Sequence, residues 1–281
     1  MNIVVTGSSG LLGSEIVRQL ENENVISLDI VPGPATQHII SVSDRKKIFR
    51  ISENADAIIH TAALHGKHMD LDVPKTDFIR TNIEGTLNLL EAAVFHNINK
   101  FIFTSTTSIY GKAMLNNKQA VWVDESLVPQ PRDIYDISKQ AGENLCMDFA
   151  EKHHIDAFIF RISRFMEESA NDMANYRLYR GIDVRDGASG HILALYSSLK
   201  GFNLFNLSND TLFREEDLAL LKSNPEKVIL KYYPEAEAIY RENKWQFPGT
   251  IDRVYVIRKA KELLGYKPGH NYMQYISLGK D

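Results

Sequence analysis

The apolar positions of the chain follow two rhythms in turn. Short runs rich in β-branched and aromatic residues predict strands at residues 3–5, 25–28, 39–40, 57–60, 101–103 and 158–160. Between them, apolar residues recur at helical spacing over residues 11–20, 77–95 and 136–149, and from Ser43 and Asp44 through Ile48 and Phe49. Ser43 and Asp44 are good helix caps. Within 77–95 the apolar positions are Phe78, Ile79, Ile83, Leu87, Leu90 and Val94. Strand and helix in alternation predict an α/β fold, a Rossmann-type doubly wound parallel sheet covered on both faces. Residues 111–132 break the rhythm: they are polar, contain Asn116-Asn117, and end with Pro129 and Pro131. They read as a long loop, which in a compact domain usually serves function. Beyond Arg161 the pattern weakens. Residues 167–190 read as charged and irregular, 201–208 as one strand, and 252–264 as a helix stopped by Gly265 with Pro268 beyond. We therefore expect a Rossmann domain over residues 1–165, joined by 191–208, and a small C-terminal substrate lobe over most of 166–281.

Composition narrows the class. The chain has 281 residues, 44% hydrophobic and 24% charged, which is ordinary for a globular protein and excludes a disordered or collagen-like chain. With 32 basic and 36 acidic residues the net charge is -4, so there is no basic excess of the kind that marks nucleic-acid binding. A single cysteine, Cys146, excludes an internal disulfide or a cysteine-cluster metal site. No apolar run approaches the ~18 residues of a membrane span, and no signal-peptide pattern is visible. The expectation is a cytoplasmic protein that does not engage membranes.

Three constellations carry chemistry. In Thr6-Gly7-Ser8-Ser9-Gly10-Leu11-Leu12-Gly13, glycines stand where a strand turns into a helix. Glycine permits the tight turn and close approach of a pyrophosphate to free helix N–H groups. Asp29, at the end of the second strand, can accept hydrogen bonds from ribose hydroxyls and would repel a 2′-phosphate, which favours NAD over NADP. Tyr135 and Lys139 stand four apart on one helix face. An ammonium beside a phenol lowers the phenol's pKa, so the pair can take a proton from an alcohol. Hydroxyl residues from Thr104 to Ser108 crowd the end of the fifth strand, where open α/β sheets bind ligands.

With TGSSGLLG, Asp29, DAIIHTAA (56–63), NIEGTLNLLEAA (82–93), FTSTTSIYG (103–111), YDISK (135–139) and Arg161, the chain resembles the extended short-chain dehydrogenase/reductases, the NAD-dependent epimerase/dehydratase family. Weaker matches run through 183–195, 201–208 and 259–268. The resemblance implies NAD as cofactor, Tyr135 as acid/base, Thr106 as the catalytic hydroxyl, and Lys139 as support for the phenolate and the nicotinamide ribose. It places Gly7, Ser9, Gly10, Leu11, Leu12, Gly13, Asp29, Ile30, Ser41, Val42, Thr61, Ala62, Ala63, Asn82 and Thr104 around the cofactor. It also implies a homodimer built on the helices at 77–95 and 136–149.

Departures from the family pattern direct the functional reading. Thr107 and Ser108 stand where the dehydratases carry Asp-Glu, which argues against 4,6-dehydration. Ser41 replaces an adenine-contacting Asp. Arg164 replaces an Asn of the nucleotide-sugar epimerases, and the segment between Arg164 and Asp183 is short. The shortening resembles members that act on small free substrates, such as uronate dehydrogenases. The expectation is an NAD-dependent oxidoreductase acting on a secondary alcohol or ketone of a sugar or sugar acid, with His65, Thr106, Thr107, Ser108 and Arg164 toward the substrate. In it Arg164 pairs with a substrate carboxylate, and Arg177, Arg180 and Arg185 are further candidates. The alternatives are a UDP-hexose 4-epimerase with tightly held NAD and a non-catalytic NAD-binding sensor. His60, His65 and His68 lack the spacing of a metal site, so no metal is expected. Cys146 reads as a packing residue, residues 214–217 as a helix N-terminal turn, and Trp245 and Phe247 as pins on the C-terminal segment.

Overall fold

A computed structural model describes residues 1–165 and 167–278, the side chains of Lys67 and Leu278 excepted; Met166 and residues 279–281, within the expected C-terminal lobe, lie outside that range. The strands are β1 (Asn2–Thr6), β2 (Asn24–Asp29), β3 (His38–Ile39), β4 (Ala57–His60), β5 (Lys100–Thr106), β6 (Val121–Val123), β7 (Asp156–Ile162), β8 (Phe202–Leu207) and β9 (Arg253–Tyr255). The helices are α1 (Leu11–Gln19), α2 (Arg45–Ile51), α3 (Gly66–Met69), α4 (Lys75–Phe78), α5 (Gly85–Phe95), α6 (Ile134–His153), α7 (Ala170–Tyr179), α8 (Val184–Tyr196), α9 (Leu218–Ser223), α10 (Pro225–Tyr232), α11 (Ala236–Asn243), α12 (Arg258–Leu264) and α13 (Tyr272–Leu278).

Seven strands form one parallel sheet in the order β3-β2-β1-β4-β5-β7-β8. The order reverses direction at β1, so the fold is the doubly wound Rossmann type. Period-two alternation sends side chains to opposite faces. Ile3, Val5, Ile59, Ile102, Phe158 and Phe160 pack with α1, α8 and α12 on one face. Val4, Ile58, Phe101, Phe103 and Ile159 pack with α2, α5 and α6 on the other. Burial on both faces explains why β4 and β7 read as continuous apolar runs.

The structure differs from the sequence reading in four places. Residues 111–132 are not a plain loop: β6 lies within them and pairs in parallel with β9. Residues 252–264 divide into β9 and the shorter α12, which Gly265 ends with a φ of 68°. Residues 167–190 hold α7 and the start of α8. The helix expected at 77–95 is interrupted by a π-helical stretch, Ile79–Glu84. Propensity misses the short β6 and β9 because each is defined by its partner. A separate core of Ala174, Leu178, Phe213, Leu221, Ile229, Tyr240 and Tyr272 forms the C-terminal lobe, whereas Ala260, Leu264 and Tyr266 belong to the main core. Trp245 and Phe247 pack at the edge of the lobe core, Phe247 stacked on Tyr240 at 4.1 Å. Cys146 is buried in the α6 face. Among the described residues no helix is long and apolar enough to cross a membrane.

Two buried histidines tie elements together as neutral rings. His191 Nδ1 donates to the Gly187 carbonyl at 2.7 Å, so its Nε2 accepts from the Thr104 hydroxyl at 2.8 Å, joining α8 to β5. Thr86 Oγ1 donates to the Asn82 carbonyl and therefore accepts from His60 Nε2 at 3.1 Å, leaving Nδ1 to accept from Thr6 Oγ1 at 2.8 Å. Burial holds His191 down at about 4, and burial together with the charge of Lys139 holds His60 well below its ordinary value. A histidine depressed in the folded state binds its proton more readily when unfolded. Its contribution is therefore present above about pH 6.5 and lost as pH falls toward the folded value. Urea unfolding should show stability falling by up to about 3 kcal/mol per such histidine between pH 7 and 4. His191→Gln should show a shallower acid dependence; a slope identical to wild type would refute this assignment.

Candidate active site

The C-terminal ends of β1, β2, β4 and β5 meet at one edge of the sheet, where their loops can receive a ligand without breaking the ladder. At β1 the chain turns into α1 through Gly7, whose φ is 74°. A Cβ at Gly7 would lie 2.6 Å from Thr61 Oγ1, and one at Gly13 would lie 2.1 Å from the Gly7 carbonyl oxygen. Those two glycines are fixed by the protein's own packing. Gly10 differs: it is exposed at the N-cap of α1, and the only close contact of an added Cβ would be the Gly7 oxygen at 3.3 Å. Its openness leaves a cradle at the helix N-terminus that suits a pyrophosphate. Leu12 packs inward, whereas Leu11 is exposed. Ser9 Oγ is held by the Val31 carbonyl and Thr36.

Asp29 ends β2 beside this turn. Its carboxylate accepts from the backbone N–H groups of Ser9 at 3.0 Å, Ile30 at 2.6 Å and Val31 at 3.2 Å. It thus caps its own loop, filling three of its roughly four lone-pair positions. Ile30 is exposed next to it. Ser41 is bonded to Ser43 rather than turned to a ligand, and Val42 is buried against Gly85.

The loop after β4 is held by β1 and α6. The Thr61 hydroxyl donates to the Thr6 carbonyl, and Ala62 N donates to Thr6 Oγ1. Ala63 follows half-buried. Asn82 exchanges hydrogen bonds with Leu64 N and O, both 2.8 Å, and donates to Ser138 Oγ at 2.8 Å. It lies in the π-helical stretch, where such insertions re-aim a side chain inward. His65 caps α3 at the surface, its ring edge-on to His68 at 4.3 Å, and no metal-binding cluster occurs among the described residues.

At the end of β5, Thr106 Oγ1 accepts from Ser108 N at 3.1 Å, which leaves its own proton to donate. Burial pushes the neighbouring Tyr135 phenol up to about 12, partly offset by the Thr106 hydroxyl, with Asp136 and Asp133 raising it further. Lys139, expected to lower it, is not among the groups that shift it. Lys139 is 3% exposed, and its ammonium sits 4.2 Å over the Phe103 ring. Burial brings Lys139 down to about 8, while the charge of Glu143 opposes that fall. Glu143, one turn beyond, accepts from Ser105 Oγ at 2.5 Å and from Arg161 Nη2 at 2.7 Å.

Several candidates are committed elsewhere. Thr104 is spent on His191, and Thr107 is buried with its hydroxyl toward the Ile162 carbonyl at 3.4 Å. Arg164 pairs with Glu168. Arg177 and Arg185 both pair with Asp183, and Arg180 pairs with Asp252. Conversely, Arg132 donates from Nη2 to Ser108 Oγ at 2.8 Å, a contact hidden inside the segment read as a loop. Glu143 was in principle visible, since it repeats the four-residue step from Lys139.

Residues 3–175 match the family described as the NAD dependent epimerase/dehydratase family. An uncharacterized UDP-glucose epimerase of Bacillus subtilis (strain 168) is 29% identical over 201 residues, which is 64% of this chain and 62% of that protein. The L-arabinose 1-dehydrogenase (NAD(P)(+)) of Haloferax volcanii is 27% identical over 174 residues, 57% of this chain and 65% of that one. The chain thus spans less than two thirds of the length of these curated relatives. A short-chain dehydrogenase/reductase superfamily protein from Agrobacterium tumefaciens, crystallised with NAD, shares the fold with a TM-score of 0.74 at 18% identity, covering 99% of this chain and 95% of that chain. With the family pattern matched from the first strand through the Tyr135 helix, this protein belongs to the NAD dependent epimerase/dehydratase family.

Proposed function

We propose that the protein is an NAD-dependent oxidoreductase acting on a secondary alcohol or ketone of a sugar or sugar acid. The observation that carries this reading is that Thr106, at the end of β5, acts on the Tyr135 phenol of α6, with Lys139 buried one turn along the same helix. Gly10 and the N–H groups of α1 would hold the pyrophosphate of NAD, and Asp29 a ribose hydroxyl. Bound NAD supplies the hydride acceptor. The protein's part is proton transfer and orientation. Thr106 donates to the substrate oxygen and fixes its direction. Tyr135, as phenolate, takes the alcohol proton when the carbon is oxidised and returns it in reduction. Lys139, buried one turn along α6, would hold the nicotinamide ribose.

A nucleotide-sugar 4-epimerase is the second reading, supported by the Bacillus subtilis relative. The first reading is supported by the short segment between Arg164 and Asp183, in which the Arg177 side chain is buried against Asp183. A homodimer through the helices flanking the site is also proposed, supported by the exposed apolar Ile79, Ile137 and Met147.

Purified protein with NAD and a panel of free uronates, free aldoses and UDP-sugars should form NADH with a free sugar or uronate. Isomerised UDP-sugar without net NADH would instead establish the epimerase, and bound NAD with neither product a sensor. Tyr135→Phe should lower kcat at least about 100-fold while NADH affinity stays within twofold. Because the phenol is raised, kcat/KM for oxidation should climb with pH through the neutral range. Gly10→Ala should keep the fold yet weaken NADH binding about tenfold or more, whereas Gly13→Ala should lower Tm first, since its Cβ meets backbone. In sedimentation, Ile137→Asp should convert dimer to monomer; an unchanged mass would remove that helix from the interface.

A further inference from the structure

We infer that Arg132 forms an anion subsite beside the Thr106–Tyr135 pair, shaped to receive a carboxylate or phosphate carried by the substrate. The inference rests on the dehydrogenase reading for what sits at Tyr135, and it adds the chemical class of the substrate's far end.

The segment carrying Arg132 is built into the site. Gly111 has a φ of 50°, and a Cβ there would lie 2.0 Å from the Gln130 carbonyl oxygen. Only glycine lets residues 130–132 lie this close over the turn that follows Thr106, and Lys112 N donates to the same carbonyl at 2.9 Å. Arg132 is then fixed by a carboxylate. Its backbone N and its Nε both donate to Asp136 Oδ2 at 3.1 Å, and Asp136 is wholly buried in the first turn of α6, next to Tyr135. The third anchor is Ser108: Arg132 Nη2 donates to its Oγ, and Ser108 N in turn donates to Thr106 Oγ1. One residue therefore separates the guanidinium from the hydroxyl that orients the reacting oxygen.

These anchors use two of the five guanidinium N–H donors, and the side chain remains 44% exposed. The outward Nη edge is a planar fork matching a carboxylate or phosphate. Held at three points, it loses little freedom when it binds. Asp136 offsets the charge from below, so the fork acts through geometry and local hydrogen bonding rather than through a long-range field. The lobe arginines lack this arrangement, since none is bonded to a residue whose backbone N–H reaches Thr106.

The test measures binding in the protein–NADH complex, where no turnover occurs. Calorimetric titration would compare hexuronates, their parent hexoses and the hexose 6-phosphates. Wild type should bind an anionic sugar at least tenfold more tightly than its parent hexose. Preference for uronates identifies a carboxylate; preference for the phosphates identifies a phosphate. Arg132→Gln should abolish the preference and leave hexose affinity within twofold. Arg132→Lys, which keeps the charge and can still reach Asp136, should retain the fold and recover only part of the preference. An unchanged preference in Arg132→Gln, a parallel loss for hexoses, or no anionic preference in wild type would overturn the subsite. Failure of the dehydrogenase reading shows separately, as absent NADH in the turnover panel with the binding preference intact.

Discussion

The helix that carries Tyr135 and Lys139 stands on a buried ion pair. Glu143 and Arg161, each 5% exposed, face one another between α6 and β7, and Ser105 of β5 completes the contact. Two charges withdrawn from water are tolerated only while both remain and their hydrogen bonds are met. Removing one partner would leave the other stranded, at a cost of about 3–5 kcal/mol. The pair thereby fixes the rotation of α6 against the sheet. That rotation sets which face carries Tyr135 toward Thr106 and where Lys139 meets Phe103. Arg161 also stacks over the Tyr110 ring at 4.9 Å, and Tyr110 reaches Asn206 at 2.8 Å, so the constraint extends to β8.

A second layer of order comes from uncharged polar groups. Asn82 satisfies both backbone groups of Leu64 and bonds Ser138, so one side chain sets the distance from the β4 loop to α6. Helical geometry alone would not bring it there; the π-helical stretch does. His60 sits nearby, neutral, linking β1 to α5 through Thr86. Its neutrality suits the neighbouring Lys139 ammonium, since two cations buried together would repel.

The charges are distributed unevenly around this opening. In the lobe, Arg177, Arg180 and Arg185 are matched to acids of the chain, and Arg177 is buried on its partner. At the site itself, Lys139 lies buried on an aromatic ring and Arg132 stands half-exposed on Asp136. The chemistry thus follows from where cations are left to face a ligand rather than from how many the chain carries.

Much of this was legible in the sequence because it is local. A parallel strand buried on both faces must be apolar throughout, a strand-to-helix turn must carry glycine at Gly7, and residues four apart on a helix share a face. These rules gave the Rossmann sheet, the glycine turn, Asp29 and the Tyr135–Lys139 step. What escaped depends on partners far along the chain. β6 and β9 exist only by pairing with each other across more than a hundred residues. Thr104 and Thr107 look equivalent to Thr106 in the sequence, yet His191 and the Ile162 carbonyl claim them. Arg164 looked available until Glu168 stood beside it, and Arg132 looked like loop until Asp136 and Ser108 fixed it. The sequence by itself determined the fold class and the residue types the chemistry needs, because hydrophobic period and backbone sterics act over a few residues. Only the tertiary structure decided which hydroxyls and charges remain for a ligand, because hydrogen bonds and ion pairs are settled between segments that meet only when the chain is folded.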